Sequence, residues 1–294
     1  MQNLVIYHGA CDDGFGAALA AKLHFGDTAE YVAGFYGQPP PDVAGKNVFI
    51  LDFSYKRAVM EDLGRSAKSI TLLDHHKSAA LELAELRLDC DAIIYFDMEH
   101  SGAVLAWKFF FGELEVPWLF HFIEDNDLWR FKIPGTRSFT RNLRSYPQDF
   151  KVWAELLDEL EAPRSQDEFI AEGEAQERFF NAQIDFLLLH TKPQEIILGH
   201  HRGLAINAPK TFCSDAGHRL AELSKTFGAT YIIQGDGDVS FSLRSVGDFD
   251  VSLIAKTYGG GGHRNAAGFE TSKEVLMRML APSADKGPFG EFTE

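Results

Sequence analysis

The first half of the chain alternates short apolar runs with amphipathic stretches. Gln2–His8 is β-branched and apolar and ends at a glycine, which predicts a buried strand. Asp12-Asp13-Gly14 follows, and then the Ala-rich stretch Phe15–His24, a predicted helix with the Asp pair placed at its N-cap. Asn47–Asp52 is a second apolar strand, closed by an Asp, with a helical pattern over Lys56–Arg65 behind it. Ser69–Leu73 is a third strand and runs into Asp74-His75-His76. Asp91–Tyr95 predicts a fourth strand, and Ser101–Phe111 a helix with an apolar face. Strands and helices alternating at this spacing predict a parallel sheet with helices on both faces.

Further on, Trp118–Trp129 predicts a helix carrying Glu124-Asp125-Asn126-Asp127 near its end. Between about 130 and 190 no strand pattern occurs, and Phe150–Leu160 and Asp167–Leu189 look helical. After Pro193 strands return at Glu195–Leu198, Tyr231–Gln234 and Val239–Arg244, with helices over Asp215–Phe227 and Val251–Tyr258. The expected organisation is an α/β domain over 1–160, a helical connector over 161–192 and a smaller α/β domain over 193–294.

Composition narrows the partners. The 294 residues carry a net charge of −15, which argues against a protein that wraps long duplex nucleic acid. Residues 195–294 are close to neutral, 10 basic against 12 acidic, so −13 sits in the first 194. Bound divalent cations invert the local sign of an acidic site, so phosphates remain candidate ligands. No apolar run approaches the roughly 20 residues needed to span a bilayer, and no membrane role is expected. The opening MQNLVIYHGA lacks a basic region or cleavage pattern, and three scattered cysteines make no disulfide framework; both favour the cytoplasm.

Three successive strand ends carry side chains suited to divalent metals: His8 and Asp13, then Asp52, then Asp74-His75-His76. In open parallel sheets such ends share one crevice, so these residues are expected to meet. Carboxylates with imidazoles suit manganese, iron or zinc, and the scarcity of sulfur argues against a structural zinc site. Two ions about 3.5–4 Å apart can clamp a phosphoryl group and activate water. Taken singly, a strand-end Asp is as well explained as a helix cap, and a His-His pair as a turn. Three in a row favour ligation.

Near the C-terminus stands Gly259-Gly260-Gly261-Gly262-His263-Arg264-Asn265-Ala266-Ala267-Gly268. Consecutive glycines let backbone N–H groups form a concave anion cradle, to which His263 and Arg264 add charged donors. Arg244, ending a predicted strand, offers a bidentate phosphate contact. A flexible linker is the plain alternative, but linkers seldom run straight into HRNAAG between structured segments.

In this order, Asp13-Gly14, the lone Asp52, Asp74-His75-His76, Asp125 and GGGGHRNAAG resemble the DHH phosphoesterases with a DHH-associated C-terminal domain. The resemblance covers nearly the whole chain except about 135–190. It implies a parallel-sheet metal-binding domain, a smaller α/β domain, and an active site in the cleft between them holding two ions, commonly Mn2+. It further implies that Asp13, Asp52, His75 and Asp125 ligate metal, with Asp52 bridging, while Asp74 orients a ligand from behind. His76 would face the substrate phosphate, and His263 with the backbone of Gly260, Gly261 and Gly262 would hold it. One departure is that Cys11 stands where the family usually has an Asp. Either Cys11 ligates as a thiolate, or the adjacent Asp12 substitutes, or the first metal site is weaker than usual in the family; His8, five residues before Asp13, is a further candidate ligand. Asp127 competes with Asp125, which the apolar Trp129 four positions on favours.

The family's substrates include single-stranded DNA, short oligoribonucleotides, linear products of cyclic dinucleotides, 3′-phosphoadenosine 5′-phosphate and polyphosphate. An acidic surface repels long polyanions, so the expectation is a manganese-dependent enzyme cutting short oligoribonucleotides to mononucleotides. Polyphosphate or 3′-phosphoadenosine 5′-phosphate cleavage is the alternative, and a non-catalytic nucleotide sensor the alternative of another class. A homodimer is left open.

Overall fold

The computed structural model describes residues 2–9 and 11–280; the end of the domain expected to run to 294 lies outside them. The chain forms two compact units, 1–178 and 179–294.

The first unit holds β1 (Asn3–His8), α1 (Asp12–Phe25), β2 (Ala29–Gly34), β3 (Asn47–Leu51), α2 (Arg57–Ser66), β4 (Ser69–Asp74), α3 (Lys77–Glu82) and β5 (Asp91–Phe96). Helices α4 (Gly102–Phe111), α5 (Trp118–Asp127), α6 (Thr136–Leu143), α7 (Phe150–Glu159) and α8 (Pro163–Thr191) follow. The five strands pair in parallel in the order β2-β1-β3-β4-β5. Side chains alternate across the sheet, so the inner strands β1, β3 and β4 feed two cores. Leu4, Ile6, Ile50 and Leu72 pack with Met60 and Leu63 of α2 on one face. Val5, Leu51 and Leu73 pack with residues of α1, α4, α5, α6 and α7 on the other. The parallel sheet covered on both faces is therefore present as the periodicity predicts.

The second unit contains the end of α8 and then β6 (Gln194–Leu198), β7 (His201–Asn207), α9 (Cys213–Ser224), β8 (Phe227–Ile233), β9 (Asp238–Ser245), α10 (Val251–Thr257), β10 (Gly261–His263), β11 (Ala266–Ser272) and α11 (Lys273–Met279). Its sheet is mixed, in the order β10-β11-β9-β8-β7-β6, with only β7 and β8 parallel. The connector expected over 161–192 is the body of the single helix α8, and the division between units falls inside it.

Two local expectations are corrected, and one strand is added. The Asp12-Asp13 pair does not cap α1 but lies in its first turn; Cys11, with an extended backbone, occupies the N-cap. The helix expected over 215–227 stops at Ser224, because Lys225 turns left-handed (φ 61°) and Phe227 already belongs to β8. Strand β7 escapes the pattern because its apolar run, Leu204–Ile206, is only three residues long and is preceded by His201, Arg202 and Gly203. A Cβ on Gly203 would stand 2.5 Å from the Phe227 carbonyl, so close strand packing excludes any other residue. Among the described residues no helix is long and apolar enough to cross a membrane.

Candidate metal centre

Strand register assembles the site. Tyr7 lies opposite Leu51, and Leu51 opposite Leu73, so β1, β3 and β4 end at one level. His8, Asp52 and Asp74 therefore emerge side by side at the carboxyl edge, where open parallel sheets bind ligands. Asp52 is no helix cap, since α2 begins only at Arg57. Its backbone is left-handed (φ 54°), a conformation costing a non-glycine residue on the order of 1–3 kcal/mol and concentrated at functional sites.

Two groups of donor atoms meet at Asp52. On one side Asp52 Oδ2 lies 3.4 Å from His8 Nδ1 and 3.9 Å from Cys11 Sγ. On the other, Asp52 Oδ1 lies 2.9 Å from His75 Nε2, which is also 3.4 Å from Asp13 Oδ2 and 3.6 Å from Asp127 Oδ2. Within each of the sets His8–Cys11–Asp52 and Asp13–His75–Asp127 the donor atoms lie within 4.8 Å of one another. His8 Nδ1 and Asp127 Oδ2 are buried without a hydrogen-bond partner among the described residues. Converging carboxylates and imidazoles, with buried polar atoms left over, suit a divalent cation better than a closed hydrogen-bond network.

The electrostatics agree. Burial, and then the charges of Asp52 and Asp127, push the Asp13 carboxyl well above its ordinary value. Asp127 is raised as well, mainly by burial, with Asp52 adding to it against the opposing pull of His75. Burial opposes ionisation of Asp52 too, but its hydrogen bond with His75 and the nearby imidazoles of His8 and His76 hold it well below the usual carboxylate range. For His75 burial disfavours the imidazolium, yet Asp52, Asp127 and Asp13 outweigh this and lift it to about 11. Carboxylates crowded this closely need positive charge among them, whether a protonated imidazole or a cation.

Asp74 is buried and holds its neighbours in place. Its Oδ1 accepts from the backbone N of His75 (2.7 Å) and of His76 (3.1 Å) and from His76 Nδ1 (2.6 Å); its Oδ2 accepts from Ser54 Oγ at 2.5 Å. These bonds fix the His76 ring and the backbone of both histidines.

Helix α4 braces the site from behind. Asp13 accepts from the Gly102 N (2.6 Å) and Ala103 N (2.9 Å), so one carboxylate joins the donor cluster and also closes a helix N-terminus. Gly102 was not singled out in the sequence; its signal is a glycine directly after a Ser cap. A Cβ on Gly102 would stand 2.3 Å from Asp52 Cβ. Gly102→Ala is therefore expected to destabilise the protein by about 1–3 kcal/mol through overpacking against the centre. Urea titration measures this, and an unchanged midpoint would refute the close approach.

Asp125 is not brought to the cluster. Its Oδ1 accepts from Lys132 N (2.8 Å), and its Oδ2 from Ile133 N (3.1 Å) and Thr136 Oγ1 (2.6 Å). These bonds fasten the loop after α5, and Asp127, two residues on, reaches His75 instead. Asp12 also turns away, its Oδ2 accepting from Arg144 Nε at 2.6 Å. Of the residues around the altered first motif, Cys11 is the one that joins His8 and Asp52.

In the second unit the glycine segment is less open than a loop. Gly261–His263 forms β10, paired with Ala266–Gly268 of β11. A Cβ on Gly260 would meet the Gly268 carbonyl at 2.0 Å, and Gly262 has φ 138°, so backbone crowding and conformation both demand glycine. Arg264 is held locally, with Nη2 donating to the Asp248 carbonyl at 2.7 Å and pairing with its carboxylate at 2.9 Å. Arg244 donates to the Leu243 carbonyl and to Ser214 Oγ, each at 2.8 Å.

The chain is similar to several known proteins. Residues 214–283 match the DHHA1 domain. An uncharacterized protein of Acanthamoeba polyphaga mimivirus is 30% identical over 296 residues, covering 92% of this chain and 68% of that one. The oligoribonuclease NrnB of Bacillus subtilis (strain 168) is 27% identical over 309 residues, covering 92% of this chain and 73% of its own. Among solved structures, an uncharacterized protein from Helicobacter pylori G27 aligns over 95% of this chain and 99% of its own, with a TM-score of 0.46 and 16% identity.

Proposed function

We propose that this chain, which belongs to the DHH-family phosphoesterases with a DHHA1 C-terminal domain, is a Mn2+-dependent phosphodiesterase that cuts short oligoribonucleotides to mononucleotides. The observation that supports a two-ion centre is Asp52, whose two oxygens face two separate donor groups. In this reading His8, Cys11 and Asp52 would hold one ion, and Asp13, His75 and Asp127 with Asp52 the other. Bound there, divalent ions neutralise charge at phosphorus and acidify the attacking water. The residues do the rest by positioning. His76 presents a donor to the phosphate, and Asp74 fixes its ring. Burial works against the His76 imidazolium, but Asp74 outweighs it and holds the His76 pKa above the ordinary histidine value, which favours a charged donor. Arg244, Gly260, Gly261, Gly262, His263 and Arg264 are the proposed substrate-binding set of the second unit, with Arg244 and Arg264 exchanging local partners for phosphate.

The acidic first unit favours a short substrate, because repulsion of a polyanion grows with its length. The similarity to an oligoribonuclease over most of both chains supports RNA as that substrate. The test is hydrolysis of a 5′-labelled diribonucleotide beside a short polyphosphate, each with Mn2+ and with chelator. Mononucleotides released only with Mn2+ are the expected result. Phosphate from polyphosphate without dinucleotide turnover, or turnover that survives the chelator, would overturn the proposal.

A further inference from the structure

The two sides of Asp52 differ in chemical character. Around Oδ1 the donors are the carboxylates of Asp13 and Asp127 and a single imidazole, a hard, oxygen-rich set suited to Mn2+. Around Oδ2 they are an imidazole and a sulfur. We propose that the His8–Cys11–Asp52 side takes its ion through the Cys11 thiolate and so selects a softer, borderline ion such as Zn2+, Co2+ or Fe2+ over Mn2+. The centre would then hold two unlike metals.

Several contacts support Cys11 in this role. Its carbonyl accepts from Phe15 N at 3.1 Å and from Gln148 Nε2 at 3.2 Å, which anchors the residue at the head of α1. The adjacent carboxylate of Asp12, the other candidate, is engaged by Arg144. His8 Nδ1, 3.4 Å from Asp52 Oδ2, is buried without a hydrogen-bond partner among the described residues, as expected of a nitrogen kept for a metal. Binding replaces the S–H bond with a sulfur–metal bond, and the proton leaves to solvent. A thiolate carries the same single negative charge as the carboxylate it replaces. The substitution therefore alters ligand softness and preserves the charge of the loaded site.

The inference rests on the two-ion reading, and its test does not use turnover. The full chain, stripped of metal, is titrated with Co2+ while near-ultraviolet absorption is recorded. A thiolate-to-cobalt charge-transfer band rising to one equivalent is expected in the wild type, in Cys90→Ser and in Cys213→Ser, and it should vanish in Cys11→Ser. Cys11→Asp should lose the band and shift the Zn2+ to Mn2+ affinity ratio toward Mn2+ by about tenfold, the lower end of what altered metal surroundings cost. If Cys11→Ser fails to fold, alkylation of the wild type decides, because bound Zn2+ should shield Cys11 and leave the partly exposed Cys90 as reactive as before. No band in the wild type, a band that survives in Cys11→Ser, or Cys11 alkylated equally with and without Zn2+ would overturn the proposal. Dinucleotide hydrolysis without the band would remove thiolate ligation alone, whereas the band without hydrolysis would remove the phosphodiesterase reading alone.

Discussion

Asp52→Asn is expected to lower dinucleotide hydrolysis by about 10³-fold, matching the several kcal/mol that metal-ion charge stabilisation supplies, while the protein stays folded. Asparagine tolerates the left-handed backbone that Asp52 adopts (φ 54°), so the turn after β3 persists. The amide, however, offers one neutral oxygen where the carboxylate offers two charged ones facing separate donor groups. The measurement is turnover in Mn2+ beside circular dichroism of the same sample. Native-like dichroism with turnover within tenfold of wild type would remove Asp52 from the centre.

Much of this centre was legible because its parts sit at strand ends. A buried parallel strand shows itself as an apolar run, and a polar residue closing the run is conspicuous, so His8, Asp52 and Asp74 stand out in the sequence. Register was legible only by implication, since the sequence says that strands end in Asp or His but not that they end level. Asp125 and Asp127 show where the pattern loses resolution. Both lie in the last turns of one helix, and the choice depends on a loop whose backbone N–H groups claim Asp125. Nothing in the local pattern announces that claim. The glycine segment was likewise recognised as special for a different reason from the one seen locally. Its glycines admit close strand pairing at β10 and β11, and a run of glycines looks the same in sequence whether it cradles an anion or lets two backbones meet. Strands β2 and β7 escape the pattern because one is a half-buried edge rich in Ala and Gly and the other has only the three apolar residues Leu204–Ile206 behind His201, Arg202 and Gly203.

The two neighbouring carboxylates should part in opposite directions. Asp127 is raised above the ordinary carboxylate pKa by burial and by Asp52, so in the metal-free protein its charge is a liability. Asp127→Asn is expected to stabilise that state by about 0.5–2 kcal/mol, the usual yield from relieving an active-site strain. At about 2–4 °C per kcal/mol this is visible in a melt recorded in chelator. With metal present the sign reverses. A ligand at 100 times its Kd adds roughly 2.7 kcal/mol to the wild type, and the variant should forfeit most of that gain together with about 10²–10³-fold of its turnover. Asp125 is hydrogen-bonded to the loop after α5. Asp125→Ala leaves Lys132 N, Ile133 N and Thr136 Oγ1 without their acceptor, at about 1–3 kcal/mol for each group that stays buried. The loss should be equal in chelator and in Mn2+, with the metal-dependent rise in melting temperature intact. Melting both variants and the wild type in both buffers separates the roles. If Asp127→Asn melts lower in chelator and keeps its full response to Mn2+, while Asp125→Ala loses that response, then Asp125 is the ligand and the loop must rearrange to release it.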